Sequence, residues 1–391
     1  MIHSAMESNV TSASAALRAC LSHASKGLVE RESLLESVVL AAVAGEHILV
    51  IGPPGTAKSE AVRRVARATR GRYFEYLLGR FTEPSEIFGP IDLRRLKEGV
   101  VETETTGMMP EAEFAFLDEV FRGSTAILNT LLGILNERRF RRGHTTIDCP
   151  LRVCVGASNS LPDDESLAAF ADRFLVRVFV DPVPDPRIEE LLEGGWSIEH
   201  GDDGPKAGIP DIDVLSVAAR AADMNGIRPH VSHAIRLLRG AGIGLSDRRA
   251  VKVQRLIAAA AVLGGRARPS EADLWPLILA VPTREEQATA RECLGDVLAR
   301  TENAVLAAAA EEASLGPLAR AARLAASGRE ALGARPNDDA AEALGDWRLR
   351  LEGIMREIDA GFVRDALPKE LAEVRAAVAA VLGSPSAVES R

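Results

Sequence analysis

The segment GPPGTAKS, residues 52–59, decides the fold. It stands between HILVI (47–51), a β-branched run that predicts a buried strand, and a predicted helix from Lys58 to Thr69. In such a turn, glycines let backbone amides and the helix N-terminus face phosphate groups. The context predicts a P-loop in which Lys58 reaches the β and γ phosphates of ATP and Ser59 binds Mg²⁺.

The whole turn is expected to line the nucleotide. Its residues are Gly52, Pro53, Pro54, Gly55, Thr56, Ala57, Lys58 and Ser59. The pattern departs from G-x-x-x-x-G-K-[ST] at Ala57, where a second glycine is usual. Alanine costs little there if the residue adopts a right-handed helical conformation. The alternative interpretation is an ordinary Pro/Gly turn that happens to precede Lys-Ser.

Two later strands end in polar residues. EFAFLDEV (113–120) places Asp118 and Glu119 at the end of an apolar run, where Asp118 suits Mg²⁺ and Glu119 suits the base that polarises water. ASNSLP (157–162) places Asn159 after the next strand, where its amide could orient that water. An acidic surface turn and a turn-forming asparagine are the alternatives.

Arginines offer two further candidates. Arg173 precedes a predicted strand and could act in a neighbouring subunit's site, although an ion pair with Asp172 is nearly as good an interpretation. In SDRR (246–249), Arg248 or Arg249 could report nucleotide state to a second domain. His230 and His233 stand three residues apart, but no further ligand completes a metal site.

Composition restricts the classes of function. The 391 residues carry a formal net charge of -9, which argues against a surface built to bind nucleic acid. Four cysteines without a C-x-x-C pair suit a reducing, cytoplasmic location. No secretory leader or membrane-spanning run is evident in the sequence.

Alternating patterns predict an α/β fold with a parallel sheet covered by helices on both faces. The other strand candidates are 73–78, 113–118, 152–157 and 174–180, with helices at 125–137 and 165–172. Residues 91–107 and 138–150 are interpreted as hairpins. After residue 282 the pattern is helical only, with helices expected at 285–327, 338–360 and 368–382.

With these residues identified, the chain resembles the MoxR family of AAA+ ATPases, most closely its RavA branch. The matching segments are GLVERE (27–32), GPPGTAKS (52–59), GRFTEPSEIFGP (79–90), MPEAEFAFLDEVFRG (109–123), AILNTLLGILNERRFRRG (126–143), ASNSLP (157–162), DRFLVRV (172–178) and SDRRAVKVQRLI (246–257). The resemblance implies an N-terminal arm (1–26), an AAA+ core (27–183), an all-α lid (184–282) and an all-α C-terminal domain (283–391).

The resemblance also implies roles and partners. Asn159 corresponds to sensor 1, Arg173 to the arginine finger, and Arg248 to sensor 2, with Arg249 still a contender. It implies a ring, usually a hexamer, that remodels or matures a protein client together with a partner bearing a von Willebrand factor A (vWA) domain. A DNA-associated motor and a nucleotide-gated scaffold with little hydrolysis are the alternatives; the basic RRFRR (138–142) is the support for the first.

Overall fold

The computed structural model describes residues 2–198, 207–336, 341–362 and 367–383. The strands are β1 (Ile48–Ile51), β2 (Tyr73–Leu77), β3 (Phe114–Asp118), β4 (Arg139–Arg142), β5 (Thr145–Asp148), β6 (Val153–Ser158) and β7 (Val176–Phe179). The helices are α1 (Ile2–Ala24), α2 (Glu32–Ala44), α3 (Lys58–Ala68), α4 (Pro84–Phe88), α5 (Leu93–Lys97), α6 (Thr125–Glu137), α7 (Glu165–Ala171), α8 (Ile188–Ile198), α9 (Ile209–Ala221), α10 (Arg228–Gly240), α11 (Asp247–Leu263), α12 (Pro276–Leu279), α13 (Arg284–Cys293), α14 (Gly295–Leu298), α15 (Ala307–Leu315), α16 (Pro317–Gly333), α17 (Ala341–Gly361) and α18 (Lys369–Leu382).

A five-stranded parallel sheet in the order β2-β3-β6-β1-β7 forms the centre of the fold. All four residues of β1 are buried, as the apolar run HILVI predicts for a strand covered on both faces. Each strand predicted for the sheet is present, within two residues of the expected bounds. The predicted α/β class is therefore confirmed.

Helices cover both faces of the sheet. On one face, Leu49 and Leu117 pack with Ile127 and Leu131 of α6 and with Phe174. On the other face lie α2 and α3, which are covered in turn by α1, α9 and α11. The helix α2 lies between these layers, which explains why ten of its thirteen residues are buried.

One predicted hairpin is confirmed and the other is wrong. β4 and β5 pair antiparallel around Gly143 within the expected range 138–150. Residues 91–107 instead contain the short helix α5, which is enclosed by an antiparallel bridge between Ile91 and Thr103. The physical reason is the Asp92 side chain, which accepts hydrogen bonds from the amides of Arg94 and Arg95 and so starts a helix.

The single helix expected at 285–327 is also wrong, because the chain there forms α13 to α16. Asn303 interrupts it by accepting hydrogen bonds from the amides of Val305 and Leu306, at 3.0 and 2.9 Å. Gly316, with φ of 49°, then separates α15 from α16.

The described residues group into two compact units, one from 1–182 with 199–314 and one from 183–198 with 315–391. In the second unit, α16, α17 and α18 pack around Leu351, Ile354 and Val374, and Trp347 donates a hydrogen bond to the carbonyl of Ala331 at 2.6 Å. Its described residues contain no strand. The domain bounds inferred from the resemblance stay predictions, and residues 384–391 of the last one lie outside the described residues.

No helix among the described residues is long and apolar enough to cross a bilayer.

A partly buried carboxyl group joins two helices of the first unit. Glu36 on α2 accepts a hydrogen bond from the amide of Ala309, at 2.7 Å, in the first turn of α15. Burial raises the pKa of Glu36 to about 8, and hydrogen bonds from the amides of Ala309 and Ala308 oppose the rise while Glu32 adds to it. The native state therefore binds a proton that the unfolded chain releases at lower pH.

This pKa predicts a stability that depends on pH. Because the pKa of Glu36 is higher in the folded state, the free energy of unfolding should fall as pH rises from about 5 to about 8, by on the order of 2 kcal/mol. Urea unfolding of wild type and Glu36→Gln across this range measures the difference, since glutamine cannot titrate. If the stability gap between the two proteins does not vary with pH, Glu36 is not held protonated.

Candidate active site

The register of three neighbouring strands brings the predicted site residues together. Ile51 of β1 is level with Ser158 of β6, and the amide of Gly52 donates to the Ser158 carbonyl at 3.1 Å. Asn159, the next residue, therefore lies beside the start of the P-loop. β3 is the next strand along and ends at Asp118, so three strand ends meet at one edge of the sheet.

The first glycine of the P-loop is required by close packing. A Cβ atom at Gly52 would lie 2.2 Å from the carbonyl oxygen of Val180, so no larger residue fits without moving the backbone. Pro53, Pro54 and Gly55 form the exposed tip of the turn. Gly55 has φ of 77°, a region that glycine enters readily.

Ala57 lies in the left-handed region, with φ of 56° and ψ of 28°. The expectation that alanine costs little here required a right-handed conformation, and that expectation is wrong. The backbone must turn left-handed at this point so that α3 can begin at Lys58. For a residue with a Cβ this costs roughly 1–2 kcal/mol, so strain is stored directly beside the predicted phosphate contact.

The Lys58 ammonium group is held inside the turn. Its Nζ donates to the carbonyls of Gly52 and Pro53, at 2.9 and 2.7 Å. Burial lowers the pKa of Lys58, and the carboxylates of Asp118 and Glu119 oppose that effect. The cation thus lies within the electrostatic reach of both acidic residues, as a shared site requires.

Asp118, Glu119 and Asn159 form a connected group. The Asp118 carboxylate accepts a hydrogen bond from the Glu119 amide at 2.9 Å, and Asn159 donates to the Glu119 carboxylate at 3.0 Å. Glu119 has φ of 49°, so its side chain leaves the strand in a direction that a regular extended residue would not take. Arg122 also approaches Glu119, at 3.3 Å, but it is exposed and contributes little.

The donors suit magnesium. Mg²⁺ takes oxygen ligands, usually one or two from protein together with substrate phosphates and water. The hydroxyl of Ser59, in the first turn of α3, and the carboxylate of Asp118 are such ligands. The described residues contain no cluster of three or more His, Cys, Asp or Glu that would hold a metal by itself, and His230 pairs with Glu271 at 3.1 Å.

One residue beside the P-loop was not predicted from the sequence. Arg31, buried at the start of α2, donates to the carbonyls of Thr56 and Asp181 at 2.7 and 2.8 Å. Burial lowers the pKa of this guanidinium group. Arg31 therefore ties the P-loop to the end of β7. In the sequence Arg31 stands out only as part of the segment GLVERE, and that segment does not indicate a contact with Thr56 or Asp181.

The three arginine candidates differ in their contacts. Asp172 pairs with Arg249 at 3.0 Å, not with Arg173, whose Nε is buried without a hydrogen-bond partner among the described residues. Arg248, on the first turn of α11, donates to the side chain of Asn136. Arg249 is 2% exposed and is fully engaged inside the fold, so it is not free to reach a nucleotide.

Comparison with known proteins identifies the family. The family model of the MoxR domain in the MoxR-vWA-beta-propeller ternary systems matches residues 15–217. Since this is more than half of the chain, the protein belongs to the MoxR family of AAA+ ATPases. The finer assignment to the RavA branch stays a prediction.

Individual relatives support the same family. Two uncharacterised proteins of Methanocaldococcus jannaschii, MJ0812 and MJ0079, are 36% identical over 249 residues and 35% over 247, each covering 63% of this chain. The matches span 66% and 64% of those relatives, just under two thirds of their length. Chaperone MoxR1 of Mycobacterium tuberculosis is 27% identical over 173 residues, covering 43% of this chain and 45% of MoxR1.

A solved structure shares the fold. The crystal structure of a candidate ATPase from Cytophaga hutchinsonii superposes with a TM-score of 0.63 at 17% identity, over 78% of this chain and 99% of the other. At this identity the likeness concerns the fold alone.

The strain at Ala57 predicts that Ala57→Gly stabilises the protein. Glycine removes the steric cost of positive φ, so we expect the free energy of unfolding to rise by roughly 0.5–1 kcal/mol in urea titrations without nucleotide. Ala61→Gly, in the regular part of the same helix, is the matched control and should lower it by about 1 kcal/mol. Equal losses for both substitutions would show that the left-handed turn stores no strain.

Proposed function

We propose that the protein is a Mg²⁺-dependent ATPase that works as a ring. The observation that carries the proposal is the meeting of Lys58, Asp118, Glu119 and Asn159 at one edge of the sheet, with Glu119 hydrogen-bonded to Asn159. A cation, a carboxylate for Mg²⁺ and an oriented base are the parts that phosphoryl transfer to water needs. The reaction is ATP and water to ADP and phosphate.

The roles within the site follow from its contacts. The P-loop amides and Lys58 would bind the phosphates, and Ser59 and Asp118 would hold Mg²⁺, which would neutralise charge on the phosphate oxygens. Glu119 accepts a proton from the attacking water, and Asn159 keeps its carboxylate in place through the 3.0 Å hydrogen bond. Arg248, which reaches α6 through Asn136, is proposed as sensor 2.

Arg173 is proposed to complete the site of a neighbouring subunit. Its Nε is buried without a partner in its own chain, among the described residues, and no carboxylate neutralises it there. A cation supplied from outside stabilises the charge that develops on the transferred phosphoryl group. This requirement is the reason for proposing a ring, and the family suggests a hexamer.

The DNA-motor alternative loses its support. Arg139 pairs with Asp148 at 2.7 Å, Arg141 pairs with Glu137 at 3.3 Å, and Arg142 donates to the carbonyl of Gly89 at 3.0 Å. Two of the four arginines of RRFRR are therefore paired with carboxylates of the same chain, and Arg142 is engaged with a backbone carbonyl. The scaffold alternative is disfavoured by the Glu119–Asn159 pair, because a protein that only binds ATP does not need an oriented base.

We further propose that ATP turnover remodels or matures a protein client in the cytoplasm, with a vWA-domain protein as partner. The matching family model describes MoxR domains of ternary systems that also contain vWA and β-propeller components, and one relative is named a chaperone. Nucleic acid is not proposed as a partner, given the net charge of -9.

The shared site predicts a specific pattern of ATPase activity. Glu119→Gln and Arg173→Ala should each lower turnover by about 100-fold or more, because one removes the base and the other the transition-state cation. Both variants should still bind ATP and assemble, as measured by nucleotide titration and by mass in solution. Mixing the two inactive variants should restore turnover, since an intact Arg173 then meets an intact Glu119 at mixed interfaces.

The control for this mixture is Arg122→Ala, which removes an exposed neighbour of Glu119 and should change turnover by less than about threefold. If ATP turnover does not recover on mixing, Arg173 does not act between subunits. Full activity of Glu119→Gln alone would contradict the assignment of the base.

The partner proposal predicts nucleotide-dependent association. The vWA-domain protein of the same ternary system should co-elute with Glu119→Gln in ATP, because this variant holds the ATP state, and should separate from it in ADP. Lys58→Ala is the control, since it weakens phosphate binding and should not form the complex. Association that is identical with ATP, with ADP and in the control would contradict a nucleotide-gated partnership.

A further inference from the structure

The turn that carries Arg173 is clamped by two other arginines. Arg177, on β7, donates to the carbonyls of Ala171 and Phe174 at 2.6 and 2.7 Å. Arg249, on the first turn of α11, donates to the carbonyls of Phe174 and Leu175 at 3.3 and 2.6 Å. Each residue that flanks Arg173 closely is therefore held by a buried cation.

Arg249 also connects this turn to the segment that follows α12. Its Nε donates to the carbonyl of Ala280 at 2.8 Å, just after α12, and its NH1 donates to the Asp172 carboxylate at 3.0 Å. With four acceptors in all, the planar guanidinium group of Arg249 fixes the start of α11 against the turn. The side chain of Arg173 itself takes no part in this network.

The neighbouring arginine behaves differently. Arg248 lies on the same turn of α11 but contacts the side chain of Asn136 on α6. One helix start thus carries two arginines with separate contacts, one toward α6 and one toward the Arg173 turn. A movement of α11 would change both sets of contacts together.

We propose that Arg249 is a positioning residue that holds Arg173 in place for the neighbouring subunit's site and links it to the position of α11. The inference rests on the proposed trans action of Arg173. Arg249 holds the backbone carbonyls of Phe174 and Leu175 after Arg173 and the side chain of Asp172 before it. A displacement of about 1 Å at a reacting centre can cost about 100-fold in rate. A subunit whose α11 moves on nucleotide binding would thereby alter catalysis in the neighbouring subunit.

The test uses two kinds of subunit in mixed rings. The site subunit carries Arg173→Ala and keeps Glu119, whereas the donor subunit carries Glu119→Gln and keeps Arg173. Turnover in the mixture then comes from site subunits served by a donor's Arg173. Arg249→Lys, which keeps the charge but cannot reach as many acceptors, is added to either the donor or the site subunit.

We expect Arg249→Lys in the donor to lower the recovered kcat at least tenfold with an unchanged KM for ATP, because ATP binds to the other subunit. The same substitution in the site subunit should change the recovered kcat by less than about threefold, since that subunit has no Arg173 to position. A merely structural role of Arg249 would lower activity in both placements and would overturn the proposal.

Asp172→Asn keeps the experiment decisive if Arg249→Lys does not assemble. It removes one acceptor of Arg249 and leaves the carbonyl contacts, so we expect a smaller loss with the same dependence on placement. A loss confined to the site subunit would assign Arg249 to its own nucleotide site and overturn the inference. If the mixture with unchanged Arg249 recovers no turnover, Arg173 does not act in a neighbouring subunit. That result would contradict the proposed function, and with it the positioning role of Arg249.

Discussion

The register of β1 between β6 and β7 is the constraint on which the rest of the structure depends. Ile48 to Ile51 pair with Val155 to Ser158 on one side and with Val176 to Phe179 on the other. Because the strands are parallel, their carboxyl ends lie together, and each loop that follows adds one part of the site. A shift of one residue in β1 would turn its apolar side chains to the opposite faces and move the P-loop away from Asn159.

Two residues of the site have backbone conformations that their side chains disfavour. Ala57 and Glu119 both have positive φ, and each lies where a strand or loop meets the phosphate-binding edge. Such strain persists only when the surroundings fix the backbone. Here the surroundings are visible: Arg31 holds the Thr56 carbonyl next to Ala57, and Asp118 accepts the amide of Glu119. The strain is therefore local, and buried hydrogen bonds hold it in place.

The sheet and the P-loop could be predicted because their signals are local in sequence. Apolar runs, glycines and terminal carboxylates fix the strands and the residues that follow them. The αL conformation of Ala57, the helix in place of the hairpin at 91–107, and the contacts of Arg31 and Arg249 could not be predicted. The contacts of Arg31 and Arg249 join residues far apart in the chain, mostly through backbone carbonyls, which have no sequence pattern. The helix at 91–107 instead starts from the local cap at Asp92, which competes with the turn pattern around Gly99.

The buried arginines share one feature that explains their use. Arg31, Arg177 and Arg249 donate mainly to backbone carbonyls, and the Asp172 carboxylate pairs with Arg249 alone among them. Carbonyl acceptors satisfy the hydrogen bonds of a guanidinium group but carry only partial charge, so they fix position without cancelling the cation. The turn around Arg173 thus combines a rigid backbone with excess positive charge, and these are the two properties that stabilising a phosphoryl transition state in an adjacent subunit would require.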